Sequence, residues 1–269
     1  MCGEYMIDFF INLNPVLQAL LATIFTWLVT VLGASLVFFF KKVNKSILDA
    51  MLGFSAGVMI AASYWSLLSP AIEMANNLKL ITWFVAFIGF FGGCLLLFIG
   101  NKSFEKLSKT KSTTTSFKRC VMLVVSITIH NIPEGLAVGV AFGSLIYGLD
   151  GATLTSACLL ALGIGIQNFP EGTAVSVPLR REGLSRSKAF FWGQLSAIVE
   201  PISGVLGALL VLKVRSLLPY LLSFAAGAMI FVVVQELIPE SQSNKRKDLM
   251  ALFTLIGFSL MMILDVALG

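Results

Sequence analysis

The sequence predicts an all-α, polytopic membrane protein of eight transmembrane helices, built from inverted repeats, with N- and C-termini extracytoplasmic. Three observations predict it. Of 269 residues, 57% are hydrophobic and only 12% charged, and the mean hydropathy is +0.92. A soluble helical bundle of this length would have too little polar surface to cover so much apolar side chain. Apolar runs of about 20 residues, enough to cross a bilayer as helix, recur along the chain. Finally, Lys and Arg are confined almost entirely to alternate gaps between those runs.

In order, the spans run 15–40, 47–70, 78–100, 118–147, 153–179, 187–212, 217–241 and 248–268. The first ends before Lys41, Lys42 and Lys45. The second reaches Pro70. The third stops at the polar, low-complexity stretch 101–117, expected as a flexible cytoplasmic loop. The fourth begins beside Lys118 and Arg119, and the fifth ends at Arg180 and Arg181. The sixth starts by Arg186 and Lys188, and the seventh and eighth flank Lys245, Arg246 and Lys247. Sixteen of the 19 basic residues lie in these alternate connections, leaving Lys79, Lys213 and Arg215 for the other side. Basic loops stay cytoplasmic, so both termini face outward, and an odd number of spans would destroy the alternation. The chain forms a single membrane domain, 1–269, with the lipid bilayer as its surroundings and a bacterial cell membrane as its expected location.

Other classes are excluded. Cys2, Cys94, Cys120 and Cys158 are scattered without a CxxC, so neither a disulfide framework nor a thiolate metal site is expected. The net charge of +5 belongs to the loops and signals topology, with no nucleic acid implied. Met1 to Asn14 holds Glu4 and Asp8 and no basic residue, unlike a cleaved signal peptide.

Two internal repeats shape the functional reading. Residues 53–60 (GFSAGVMI) resemble 223–230 (SFAAGAMI) at a shift of 170, with Pro70 and Pro239 following at nearly the same shift. Residues 130–142 match 167–179 at a shift of 37, with seven identities in thirteen. In each pair the two spans run in opposite directions, which is the pattern of an inverted repeat. Transporters built this way hold their substrate near the midplane, at the repeat interface.

The second repeat carries chemistry: His130-Asn-Ile-Pro-Glu-Gly135 on span four and Gln167-Asn-Phe-Pro-Glu-Gly172 on span five. An ionised carboxylate at the centre of a membrane helix costs roughly 2.5–3.5 kcal/mol on insertion scales. Here that cost recurs, beside prolines and other polar groups. His130 and Glu134 stand four apart on one helical face with Asn131 alongside; Gln167, Asn168 and Glu171 repeat the arrangement. Pro133 and Pro170 are expected to free the carbonyls of Ile129 and Ile166. Gly135 and Gly172 are expected to let spans four and five approach closely. Span six adds Glu200, next to Pro201, with Ser196 one turn away. All three acids fall near mid-membrane by helical rise. Carboxylate and amide oxygens with one imidazole and no thiolate suit Zn²⁺, Mn²⁺, Fe²⁺, Co²⁺ or Cd²⁺. Glu134, Glu171 and Glu200 could bridge a pair of ions. The metal is transported cargo, and no further cofactor is expected.

These motifs, with the Ser-x-x-x-Glu-Pro of span six, resemble those of the ZIP (Zrt/Irt-like) divalent metal transporters, nearest their GufA-like branch. The resemblance covers essentially the whole chain. It implies uptake of zinc or a related metal into the cytoplasm through a binuclear site. One metal would use His130, Glu134, Gln167 and Glu171, with Glu200 near. The other would use Asn131, Glu134, Asn168, Glu171 and Glu200. It also implies a homodimer and an elevator-type motion of spans one, four, five and six against two, three, seven and eight. Two features depart from many members: Gln167 stands where they have histidine, and 101–117 lacks their histidine-rich loop.

Further acids suggest a route, with Glu73 as an entry attractor at the outer end of span two and Glu236 and Glu240 as exit contacts on span seven. Asp265 reads as interfacial. Two alternatives to a metal carrier stay open. An intramembrane metallohydrolase would also hold metal on helices, although catalytic zinc generally wants three firm ligands, often histidines. A transporter of another cation, protons or sodium, could use the same carboxylates.

Overall fold

The computed structural model describes residues 10–39, 44–109, 115–147, 152–213 and 215–268, and among these every regular element is helical. The helices are α1 Pro15–Phe39, α2 Lys45–Asn77, α3 Thr82–Lys109 and α4 Thr115–Ser144. They continue with α5 Leu154–Arg181, α6 Arg186–Leu195, α7 Val199–Lys213, α8 Leu218–Ser241 and α9 Lys247–Leu268. Several start where the sequence offers a cap. Asn44 Oδ1 accepts from the Ser46 amide at 2.9 Å, and Thr153 Oγ1 accepts from that of Ser156 at 3.0 Å.

Among the described residues, seven stretches are long and apolar enough to cross a membrane: α1, α2, Thr82–Ser103, Ile127–Tyr147, Arg186–Val211 across α6 and α7, α8 and α9. α5 has the length, 28 residues, but carries Gln167, Asn168 and Glu171 along its middle and is not among the seven.

Two expectations need correcting. The helix of span two does not stop near Pro70 but continues to Asn77. A proline has no amide hydrogen and its ring collides with the carbonyl four residues earlier. The chain accommodates this by widening into a π turn, Ser63–Leu68, in which the Ser69 amide reaches back five residues to the Tyr64 carbonyl. α8 makes the same adjustment ahead of Pro239, in the π turn Val233–Leu237, where the Ile238 amide bonds the Val233 carbonyl. The two π turns begin 170 residues apart. Secondly, the expected loop 101–117 is helical over 101–109 and 115–117, and 110–114 lies outside the described residues. Residues 101–109 contain neither Gly nor Pro, so nothing in the backbone ends α3 before Lys109.

The helices pack as two groups. α1, α4, α5 and α6–α7 lie mainly on one another, whereas α3 pairs with α8 and α9 with α2. In the first group a Cβ on Gly172 would collide with the Thr30 carbonyl of α1, and one on Gly135 with the Glu200 carbonyl of α7. The motif glycines therefore seat α5 on α1 and α4 on α7, correcting the expectation that they join α4 to α5. In the second group Gly57 sits against the Thr254 carbonyl and Gly227 against that of Phe90, again 170 residues apart. The groups meet where α2 packs on α5 and α8 on α4. Most of α2 is buried (72% of its apolar window), but only 17% of α9 and 22% of α3, whose flanks carrying Trp83, Phe87, Phe91 and Leu255 face outward.

Candidate metal site

Glu134, Glu171 and Glu200 come from α4, α5 and α7, and none is more than 2% exposed. Glu134 and Glu171 both lie close enough to Glu200 to act on it electrostatically. The neighbouring amides hold the carboxylates. Gln167 Nε2 donates to Glu134 Oε1 at 2.6 Å. Asn168 Nδ2 bridges both oxygens of Glu200 at 3.0 Å and also reaches the Thr26 carbonyl at 3.2 Å. Thr26 Oγ1 donates to Glu200 Oε2 at 2.5 Å, and Ser55 Oγ to Glu171 Oε1 at 3.3 Å.

The helical interruption that shapes this region is not at the two motif prolines, because α4 and α5 run unbroken through Pro133 and Pro170. It falls between α6 and α7. Pro201 cannot serve the carbonyl of Ala197, and the Glu200 amide takes it instead at 3.0 Å, tightening the turn. The Ser196 carbonyl is thereby released, and Asn131 Nδ2 donates to it at 3.0 Å. Ser196 thus contributes its backbone oxygen, since its hydroxyl is turned to the Gly193 carbonyl at 2.8 Å.

With their N–H groups engaged this way, Asn131 Oδ1, Gln167 Oε1 and Asn168 Oδ1 are buried without a hydrogen-bond donor among the described residues. A buried acceptor left unmet costs on the order of 1–3 kcal/mol. Three such oxygens beside three carboxylates form a surface of lone pairs that a hard or borderline cation would satisfy. Among the described residues no three His, Cys, Asp or Glu side chains already form a cage for one ion, so coordination would draw on the amide oxygens as well. His130 lies on α4 one turn before Glu134, and its side chain lies outside the described residues.

The other acids are placed apart. Glu73 and Glu240 are exposed. Glu236 sits in the π turn of α8 and accepts from Asn101 Nδ2 at 3.5 Å. Asp265 on α9 accepts from Ser66 Oγ at 2.7 Å. Ser66, Pro70, Met74, Ser144, Ser156 and Leu222 line a small open crevice of mixed polar and apolar character, with room of only about 10 Å³, where α2, α4, α5 and α8 come together.

Two contributors to the site, Thr26 and Ser55, and one buried acid that serves the fold, Asp49, escaped sequence reasoning. Thr26 belongs to a buried stripe on α1, Thr23, Thr26 and Thr30, whose three-and-four spacing in an apolar helix was the available signal. Ser55 differs from Ala225, its counterpart in the 170-residue repeat. Asp49, fully buried, accepts from Asn244 Nδ2 at 2.7 Å and ties α2 to the α8–α9 turn.

The model of the family described as ZIP Zinc transporter matches residues 102–265. The chain is 40% identical to Zinc transporter ZIP11 of Xenopus tropicalis and to that of Homo sapiens, over 95% of this chain and 98% of each relative. It is 39% identical to Zinc transporter GufA of Myxococcus xanthus over 58% of each. Matches of this extent establish that the chain, a multi-pass integral membrane protein, belongs to the ZIP zinc transporter family.

Proposed function

We propose that the chain carries divalent metal, zinc first and Fe²⁺, Mn²⁺, Co²⁺ or Cd²⁺ as chemically admissible cargo, into the cytoplasm through the cluster on α4, α5 and α7. The observation that carries this reading is the set of three buried carboxylates beside three buried amide oxygens that lack donors. Separate buried anions are expensive in hydrocarbon, and a divalent ion between them offsets that cost while filling the lone pairs. His130, Glu134, Gln167 and Glu171 would hold one ion. Asn131, Glu134, Asn168, Glu171 and Glu200 would hold a second. With no thiolate and at most one imidazole, such a site binds modestly and releases its cargo.

α5 is the eighth span in this reading, shielded from lipid by its packing on α1, α2 and α4, and both termini are extracytoplasmic. The matched π turns and glycine contacts at a shift of 170 support the inverted repeat. The division of the helices into two packed groups supports an elevator motion in which α1, α4, α5 and α6–α7 move against the rest. The outward flanks of α3 and α9 offer apolar surface to lipid and to a second copy in a homodimer. Glu73, exposed on α2 one turn beyond Pro70, is an entry attractor, and Glu236 and Glu240 are exit contacts. Relatives come from animals and bacteria alike, so the membrane of either kind of cell fits. The hydrolase alternative falls, because the family is one of transporters.

Uptake of Zn²⁺ and Cd²⁺ into proteoliposomes tests the reading. Wild type should accumulate metal and Glu134→Ala should not. Equal uptake by the two would sink the site, and uptake of Na⁺ in place of either metal would favour another cation.

A further inference from the structure

The two halves of the 170-residue repeat agree in packing, and at one position they differ by a hydroxyl that touches a site acid. Gly57 and Gly227 each seat their helix against a neighbour's carbonyl, and each helix has its π turn at the equivalent place. At Ser55, however, the other copy has Ala225. Ser55 is fully buried on α2, in the group of helices opposite the one that carries the acids, and its Oγ donates to Glu171 Oε1 at 3.3 Å. Glu134 is bonded by Gln167, from within its own group of helices. Glu171 is bonded across the boundary between the groups.

A hydroxyl that donates to a carboxylate oxygen points its hydrogen at the lone pairs a metal would use. A cation that takes Glu171 Oε1 on the side facing Ser55 competes with that hydrogen, and the bond at stake joins α2 to α5. Resting on the metal-site reading above, we infer that Ser55 is a positioning residue that competes with the metal for Glu171, so that loading the site releases α5 from α2. Ser55 holds Glu171 in the empty site and gives it up to the cargo.

The inference fixes the sign of a measurable effect. If Ser55 competes with the metal, removing its hydroxyl strengthens metal binding; if it were a ligand, removal would weaken it. The experiment uses the full-length protein in detergent, with Cd²⁺ affinity from isothermal titration calorimetry, and in proteoliposomes, with KM and kcat for Cd²⁺ uptake. Ser55→Ala is expected to bind Cd²⁺ roughly tenfold more tightly, the order of one hydrogen bond to a charged group. KM falls with it and kcat does not rise. Ser55→Gly, which also removes the hydroxyl and adds no metal ligand, is expected to shift affinity the same way, and it decides the matter if the alanine variant does not fold. Unchanged or weakened binding in these variants overturns the inference. Glu171→Gln separates the two levels. If it loses Cd²⁺ binding while the Ser55 variants match wild type, the competition alone is wrong. If it binds Cd²⁺ like wild type, the site reading fails and the inference falls with it.

Discussion

Substitution of Gly172 by alanine tests whether the seating of α1 on α5 builds the acidic cluster. The new Cβ would overlap the Thr30 carbonyl oxygen and stand 2.8 Å from the Ala34 amide nitrogen and 3.1 Å from the Thr30 carbonyl carbon. Ordinary contacts lie at about 3.5–4.0 Å. All three atoms are backbone, so no side chain can swing aside, and α1 has to retreat by about 1 Å. That movement strains the bonds fastening α1 to the site: Thr173 Oγ1 to the Gly33 carbonyl at 3.0 Å, Asn168 to the Thr26 carbonyl and Thr26 to Glu200. Overpacking of this kind costs about 1–3 kcal/mol, and each loosened hydrogen bond adds about 1 kcal/mol. The intrinsic gain of alanine over glycine in a helix returns at most about 1 kcal/mol. The expected net loss is about 2–4 kcal/mol, or a fall of roughly 5–10 °C in melting midpoint for a chain of this size, with metal uptake near background in protein that still folds. Fluorescence-detected melting in detergent and proteoliposome uptake read the two effects. Gly100→Ala is the matched control, because nothing lies within 4 Å of its added Cβ. It should melt at or slightly above wild type and transport normally. A Gly172→Ala protein that melts and transports like wild type would refute the reasoning.

Thr26→Val keeps the shape and removes the hydroxyl bonded to Glu200, so melting of the metal-free protein should report a loss of about 1.5–3 kcal/mol, recovered by Thr26→Ser. Asp49→Leu strips the acceptor from Asn244 at the α8–α9 turn. It should destabilise the fold by about 1–3 kcal/mol yet leave Cd²⁺ affinity intact in calorimetry, because Asp49 lies about 9 Å of helix rise from Ser55. Zn²⁺ at about a hundred times its Kd should add about 2.7 kcal/mol to wild type. Excess chelator should remove that gain, Na⁺ should not reproduce it, and Glu134→Ala should not show it in melting curves.

Periodicity and composition carry information along one helix, and they served well where the determinant was local. The helix ends at Phe39, Arg181 and Ser241 lie within a few residues of expectation because the polar or basic turn that ends each helix is written beside it. The shared face of Asn131 and Glu134, and of Gln167, Asn168 and Glu171, follows from their offsets alone. Errors arose where one element answers another. Pro70 reads as a helix end, yet a π turn absorbs it, and that choice depends on what neighbouring helices offer the displaced backbone. Pro133 and Pro170 read as helix breakers, yet α4 and α5 run on through them. The break falls ahead of Pro201, and the Ser196 carbonyl it frees is useful only because α4 brings Asn131 to it. The partners of Glu200 and Glu171, Thr26 and Ser55, are far away in the chain, and nothing in the motif spacing points to them. What does point to them is weak by itself: a threonine stripe on an otherwise apolar helix, and one serine in a repeat whose other copy has alanine. The serine at position 55, where the other copy has alanine, answers to a buried carboxylate on the opposing group of helices, whereas Ser223, which stands opposite Gly53, has a buried hydroxyl with no hydrogen-bond partner among the described residues.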